Sequence, residues 1–292
     1  MQDYVTVLIQ KLIMTPFQLI KLEDIFEKKD WKKNPLHSSV ENKIFKLLNK
    51  LNENEINLIL ELLEKFTWIG NNQYDKKIID IFRSIDKSIL RSATKFYFFP
   101  IVKPWDTNKL KSGLSLIYPL TCILNYIEDL DHIVKSNNSV ITNYKDLGRL
   151  KIAKNEYLIL VDDFIGSGRT LIKCLEKIYE YKIPPEKIII VSIAIQEDGL
   201  KLITESKLKC YYSHIEKKGI SNYFIDLERT KRISLMQLIE RKLKFNSKFS
   251  LGYEQSEALI SLIRTPNNTF PIFWHEYADD NTFKKAPFPR HQ

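Results

Sequence analysis

Between Tyr157 and Leu171 the chain reads Tyr-Leu-Ile-Leu-Val-Asp-Asp-Phe-Ile-Gly-Ser-Gly-Arg-Thr-Leu. Tyr157 to Val161 show no polar alternation, which predicts a strand buried on both faces, as in a parallel sheet. Asp162 and Asp163 stand where that strand is expected to end. A tight loop follows, and then Leu171, Ile172, Leu175, Ile178 and Tyr179 recur at helical spacing. Acids, a Gly-rich turn and a helix start therefore meet at the carboxyl edge of a sheet, where open α/β folds bind ligands.

This order of residues has a chemistry. Gly166 and Gly168 let the backbone turn sharply and present its N–H groups. A helix opening at Arg169 or Thr170 adds the positive end of its dipole, so the stretch Ile165-Gly166-Ser167-Gly168-Arg169-Thr170 makes a cradle for one phosphate. Ser167 and Thr170 add hydroxyl donors. Two carboxylates repel that phosphate but suit a ribose diol or a metal-bound sugar, where acceptor oxygens are wanted. A ribose 5-phosphate satisfies both halves. A dinucleotide fingerprint does not fit, because Leu171 holds the third glycine position and the acids precede the loop. A Walker A loop does not fit, because Gly168-Arg169-Thr170 has no lysine. The bland alternative is a sheet-edge turn with solvated acids.

The remainder of the chain places this stretch. Residues 1–94 read as a helical accessory domain, with apolar residues at helical spacing and no catalytic constellation. Residues 95–292 read as the α/β domain. Its strands are expected at Lys95–Val102, at Val140–Thr142, at the motif, at Ile188–Ile195 and at Lys209–Tyr212. The β-α-β-α-β order predicts a parallel sheet. Between the first strand and a helix from Leu114, the residues Lys103, Lys111, Ser112 and Gly113 stand at a helix start, where they would bind a pyrophosphate. A plain βα turn is the alternative. Toward the C-terminus, Tyr253, Asn267, Asn268 and Trp274 fall in a segment rich in aromatics, amides and proline. Such residues stack on a base and hydrogen-bond it, or equally make a packed Pro-rich loop.

Composition narrows the setting. The 292 residues, 44% of them apolar, suffice for one large or two modest cores. No run approaches the roughly 18 apolar residues of a membrane span. Met1-Gln2-Asp3-Tyr4 lacks the basic region of a signal peptide. Cys122, Cys174 and Cys210 show no metal spacing and read as buried thiols in a reducing cytoplasm. The net charge of +9 comes largely from scattered lysine pairs. It reads as solvated surface or as contact with nucleic acid.

Taken together, Asp162-Asp163-Phe164-Ile165-Gly166-Ser167-Gly168-Arg169-Thr170 resembles the phosphoribosyl pyrophosphate (PRPP) motif of type I phosphoribosyltransferases. The resemblance implies that Asp162 and Asp163 bind the ribose hydroxyls and act in catalysis. They would also hold Mg2+, directly or through ligand or water. Ile165 to Thr170 would bind the 5′-phosphate. Ser167 stands where Thr is usual, and Gly166 stands where purine-salvage members carry an acid proposed as general base. With Leu251-Gly252-Tyr253, Pro266-Asn267-Asn268-Thr269 and Phe288-Pro289-Arg290, the chain resembles phosphoribosyltransferase-like effectors of bacterial conflict systems, including retron-associated anti-phage members. That resemblance covers about residues 95–290. It implies an α/β parallel-sheet type I phosphoribosyltransferase-like domain with an N-terminal helical region. It also implies PRPP or a nucleotide as ligand, and bond making or breaking at C1′. Expected partners are a reverse transcriptase–nucleic acid complex, a companion defence protein and a second copy of the chain, with no membrane. The alternative is a non-catalytic nucleotide sensor or a ribonucleoprotein-docking module.

Overall fold

The structure is a computed structural model that describes residues 14–106, 112–127, 138–279 and 282–290. In chain order its elements are α1 (Pro16–Lys28), α2 (His37–Leu48), α3 (Glu53–Lys65), β1 (Thr67–Trp68), α4 (Tyr74–Ser84), α5 (Lys87–Ser92), β2 (Lys95–Pro100), α6 (Ser112–Leu124), β3 (Ser139–Val140), α7 (Tyr144–Leu147) and β4 (Glu156–Ile165). They continue with α8 (Arg169–Glu180), β5 (Ile188–Gln196), α9 (Glu197–Glu205), β6 (Lys209–Glu216), α10 (Asp226–Lys242), β7 (Ile260–Ser261), α11 (Pro271–Trp274), β8 (Tyr277–Asp279) and β9 (Thr282–Lys284). They form two compact units, one of residues 1–70 with 217–292, the other of residues 71–216.

The second unit is the α/β part. Its sheet runs β3-β2-β4-β5-β6, and every pairing is parallel. β5, Ile-Ile-Ile-Val-Ser-Ile-Ala-Ile-Gln, is buried at all nine positions, as a central parallel strand covered on both faces must be. One face packs Leu158, Leu160, Ile188 and Ile190 against Leu171, Cys174, Leu175 and Ile178 of α8 and Ile203 of α9. Phe96, Phe98, Ile159 and Ile189 are buried outside that cluster, where α4 and α6 pack on the sheet. The chain leaves β2 for β3 on one side and returns to β4 on the other. The strand order therefore reverses between β2 and β4, the position where α/β sheets open a crevice at their carboxyl ends.

The first unit joins the helices of residues 14–66 to the C-terminal segment. Two capping boxes start its helices: Thr15 with Gln18 at α1, and Asn52 with Glu55 at α3. β1 pairs with β7 in parallel, Thr67 beside Ile260. One core cluster holds Phe26, Trp31, Phe66, Met236, Phe270, Phe273 and Phe288. This division differs from the expected one at 94/95. Helical periodicity shows that a segment has an apolar face but not which distant segment covers it. The strand expected to end at Val161 continues to Ile165, so the two acids lie within β4. Of the three cysteines expected to be buried, Cys174 is buried, Cys210 is intermediate and Cys122 is exposed. Burial pushes the thiols of Cys174 and Cys210 up, to about 11 and about 12.

Candidate functional site

β4 delivers the acids in a locally irregular stretch. Its register with β5 pairs Asp162 with Ser192 and resumes at Phe164 with Ala194, leaving out Asp163. Leu160 and Ile165 share one core cluster although an odd number of positions separates them, so the two-residue alternation slips between them. Two side-chain bonds mark the slip. The Asp163 N–H donates to Asp162 Oδ1 at 2.9 Å, and Ser192 Oγ donates to the Ala194 carbonyl at 2.7 Å. Short polar side chains bonding nearby backbone in this way compete with a regular ladder. Asp163 is buried and Asp162 half-buried. The charge of Asp162 reaches α8, where after burial it helps to raise the Cys174 thiol.

The loop after β4 is shaped by close packing. Gly168 is the N-cap of α8 with φ +78°, a left-handed conformation that glycine adopts without a Cβ penalty. Ile172 N–H donates to the Gly168 carbonyl, so the amides of Arg169, Thr170 and Leu171 precede the helical ladder. Ser167 and Thr170 are half-buried beside them and Arg169 is exposed. A loop carrying two hydroxyl residues thus leads into a helix N-terminus, an arrangement that can hold a phosphate. Gly199 of α9 holds the loop from behind, since a Cβ there would lie 2.4 Å from the Gly166 carbonyl oxygen. The turn after β5 is therefore beside the motif loop, as the sheet order requires. Ile165, expected in the phosphate loop, buries its side chain in the core and offers the loop only backbone.

The β2 edge meets β4 at the same end. Ile101 N–H donates to the Val161 carbonyl at 2.8 Å, and a Cβ on Gly113 would lie 2.5 Å from that oxygen. The start of α6 is thus pressed against the strand residue just before Asp162. Lys103 sits on the connection after β2 with its Nζ 5.9 Å from the Trp105 ring centre. Ser112 is the first residue of α6, and Lys111 lies outside the described residues. Of the expected pyrophosphate residues, Gly113 is therefore the one packed against β4 among the described residues.

The expected base-binding residues lie in the first unit, whereas the motif loop lies in the second. Trp274 is buried and its Nε1 donates to the Thr269 carbonyl at 2.7 Å. The Asn267 carbonyl accepts from Tyr253 N–H, and the Asn268 carbonyl accepts from Ser256 Oγ. These bonds run within residues 253–274. The sequence reading passed over a pair on β6. His214 Nε2 lies 2.8 Å from Glu216 Oε2, level with Ala194 and Gln196 at the same sheet edge. The signal was present as His-x-Glu, but the strand was expected to stop at Tyr212.

Among the described residues no group of three or more His, Cys, Asp or Glu is placed to hold a metal ion. Magnesium commonly takes only one or two carboxylates together with substrate phosphates, and the adjacent Asp162 and Asp163 match that donor set. No helix among the described residues is long and apolar enough to cross a membrane.

The model of the PRTase-CE family matches residues 40–290. The chain belongs to that family. Membership reaches further back than the motif resemblance, which began near residue 95. The match starts within α2 and includes residues of both units. No curated protein matches the chain. Among solved structures it is similar to the hypoxanthine-guanine phosphoribosyltransferase of Schistosoma mansoni in complex with IMP, at 14% identity and TM-score 0.32, over 50% of this chain and 65% of that one. The chain thus spans just under two thirds of that enzyme's length. A purine phosphoribosyltransferase from Pyrococcus horikoshii Ot3 is similar at 18% identity and TM-score 0.29, over 51% of this chain and 86% of that one. The AQ2163 protein of Aquifex aeolicus is similar at 15% identity and TM-score 0.32, over 63% of this chain and 85% of that one.

Proposed function

We propose that this PRTase-CE chain binds a ribose 5-phosphate compound, PRPP or a nucleotide, at the carboxyl edge of β4 and makes or breaks its bond at C1′. The observation that carries the reading is the continuity of β4, loop and α8. Two carboxylates, a Gly-Ser-Gly loop and a helix N-terminus follow one another at the reversal of strand order. Asp162 and Asp163 would accept hydrogen bonds from the ribose hydroxyls, and the amides and hydroxyls from Gly166 to Thr170 would hold the phosphate. Departure from C1′ passes through an oxocarbenium-like state, whose positive charge the carboxylates stabilise. Magnesium, when bound with a diphosphate, supplies charge neutralisation of the leaving group. The motif resemblance supports a setting in bacterial defence, with a retron reverse transcriptase complex as partner.

A second reading, a sensor that binds without turnover, is favoured by one residue. Gly166 stands where salvage enzymes carry an acid, so this loop has no side chain to act as base there. One experiment separates the two readings. Purified chain is incubated with magnesium, PRPP and a nucleotide panel, beside the folded Asp162→Asn/Asp163→Asn variant, and the small molecules are profiled. The expected result is loss of one compound with wild type only. Retention without turnover supports the sensor. Equal turnover by both proteins would remove the carboxylates from the chemistry.

A further inference from the structure

The connection after β2 carries Lys103, and its backbone is tied down on both sides of that residue. Val102 lies past the last residue of β2 and is buried. Its carbonyl cannot turn to water and needs a donor. The donor comes from a distant element. Tyr144, the first residue of α7, donates its hydroxyl to the Val102 carbonyl at 2.5 Å. On the other side, Pro104 restricts Lys103 to extended backbone. The Asp106 N–H donates to the Lys103 carbonyl at 2.9 Å, and the Pro104–Asp106 turn packs on α8.

Tyr144 is itself firmly placed. Asn143 caps α7, its Oδ1 accepting from Asp146 N–H at 2.9 Å. The Tyr144 ring lies 5.0 Å from that of Phe99 and near edge-on. Just past α7, a Cβ on Gly148 would lie 2.8 Å from Tyr181 Cε1, so this segment rests directly on the C-cap of α8. The Cys174 thiol on α8 interacts with the Tyr144 hydroxyl, with the Val102 backbone and with the charge of Asp162. One buried node therefore joins the end of β2, the motif helix and the first motif acid. Burial holds the Tyr144 pKa above the usual tyrosine value, so the hydroxyl keeps its proton and stays a donor. An apolar filler would complete the core as well as this ring does; the hydroxyl serves the carbonyl.

We infer that Tyr144 is a positioning residue of the motif site, fixing the backbone of Lys103 through the Val102 carbonyl so that the lysine meets the charged group at C1′ of the ligand. The inference rests on the proposed binding of a ribose 5-phosphate compound by residues 162–170. It adds a preference within that class, for PRPP, which carries a diphosphate at C1′, over ribose 5-phosphate, which does not. The lysine stem is flexible, so a fixed backbone is what limits where its ammonium is held, and small misplacements are costly in such sites.

Calorimetry on the full chain with magnesium compares PRPP with ribose 5-phosphate. Tyr144→Phe keeps the ring and removes the hydroxyl. It should weaken PRPP roughly tenfold, about the worth of one charged hydrogen bond, and leave ribose 5-phosphate unchanged. Lys103→Ala should do the same, and adding Tyr144→Phe to it should cost little more, since the two act as one unit. Pro104→Gly loosens Lys103 from outside the core and should also weaken PRPP alone; it carries the test if Tyr144→Phe does not fold. Cys174→Ala removes packing at the same node but leaves the hydroxyl–carbonyl bond. It should melt lower and bind both ligands as wild type does. A merely structural role predicts instead that Tyr144→Phe and Cys174→Ala behave alike, or that both ligands weaken together. Either result, or PRPP affinity unmoved by Tyr144→Phe and Pro104→Gly, would overturn the inference. Failure of the motif-site proposal has another signature: ribose 5-phosphate would not bind wild type, or would bind Asp162→Asn/Asp163→Asn equally well, and the role of Tyr144 would fall with it.

Discussion

Asp162 and Asp163 were legible because their neighbours in space are their neighbours in sequence. Strand, acids, loop and helix start lie within one local stretch, and each is signalled by residue type. What fixes the loop was not legible. Gly199 lies more than 30 positions from Gly166, and nothing in Gln-Glu-Asp-Gly distinguishes a packed glycine from an ordinary turn. The structure makes a specific claim for it. A Cβ at Gly199 would meet the Gly166 carbonyl oxygen at 2.4 Å and Ile165 Cγ2 at 3.1 Å. The first of these is backbone and cannot rotate away. Gly199→Ala should therefore displace the loop after β4 while the α9 helix, for which alanine is the better former, persists. Misplacement on the ångström scale costs up to about a hundredfold in positioned chemistry. We expect Gly199→Ala to weaken ribose 5-phosphate binding by roughly tenfold to a hundredfold, with far-UV circular dichroism unchanged. Unaltered affinity would mean that the loop does not rest on α9 as described. His214 and Glu216 show the converse limit. The residues were visible, but their pairing at the sheet edge needed the strand to run four positions further than its apolar pattern suggested.

At the scale of elements, periodicity located helices and strands well and their polar anchors poorly. α10 carries Leu227, Ile233, Leu235, Met236, Leu238 and Ile239. In the structure Met236 and Ile239 are buried, while Leu227 and Leu238 are exposed. Glu240 is buried too, which an apolar template cannot anticipate. It accepts from Ser250 Oγ at 2.6 Å and from Leu251 N–H at 2.9 Å, tying the chain after α10 back onto the helix. Burial raises its pKa from the usual 4.5, partly countered by these two donors. A raised carboxyl pKa means that the folded state holds its proton where the unfolded chain has lost it. Stability from this group is therefore present below pH 4.5 and declines as pH rises through the folded value. Glu240→Gln carries no charge and should lack that slope. Urea denaturation across this window should show the variant gaining stability relative to wild type as pH increases. A constant difference between the two would show that Glu240 titrates as in the unfolded chain.

At the scale of the molecule, the sequence reading separated an N-terminal helical domain from everything after residue 94, whereas the structure closes residues 1–70 with 217–292. The difference has a physical origin. Hydrophobic burial has no direction along the chain, so an apolar face at α1 or α3 is satisfied as well by residue 288 as by residue 88. Here the satisfying residues are aromatic. Phe288 stacks on Phe66 with ring centres 4.6 Å apart and an interplanar angle of 19°. Its ring meets those of Trp31 at 5.9 Å and Trp68 at 5.3 Å near edge-on, and Phe273 lies 4.7 Å from Phe66. Thr265 Oγ1 donates to the Phe288 carbonyl at 2.8 Å, fixing the segment in place. A Phe between two prolines in a segment that reads as a tail would, if peripheral, cost no more than about 0.5 kcal/mol on truncation. As a core residue it should cost about 3–5 kcal/mol, because deletion removes the transfer term and leaves a cavity among Trp31, Phe66 and Trp68. Phe288→Ala measured by urea denaturation decides between these. Tryptophan fluorescence is the apt probe, since Trp31 and Trp68 line the cavity that the variant creates. A loss near the larger figure, with Trp31→Ala comparable and the double variant less than additive, would establish that the N-terminal helices and the Phe-Pro-Arg segment fold as one core. A loss near the smaller figure would detach that segment from the unit.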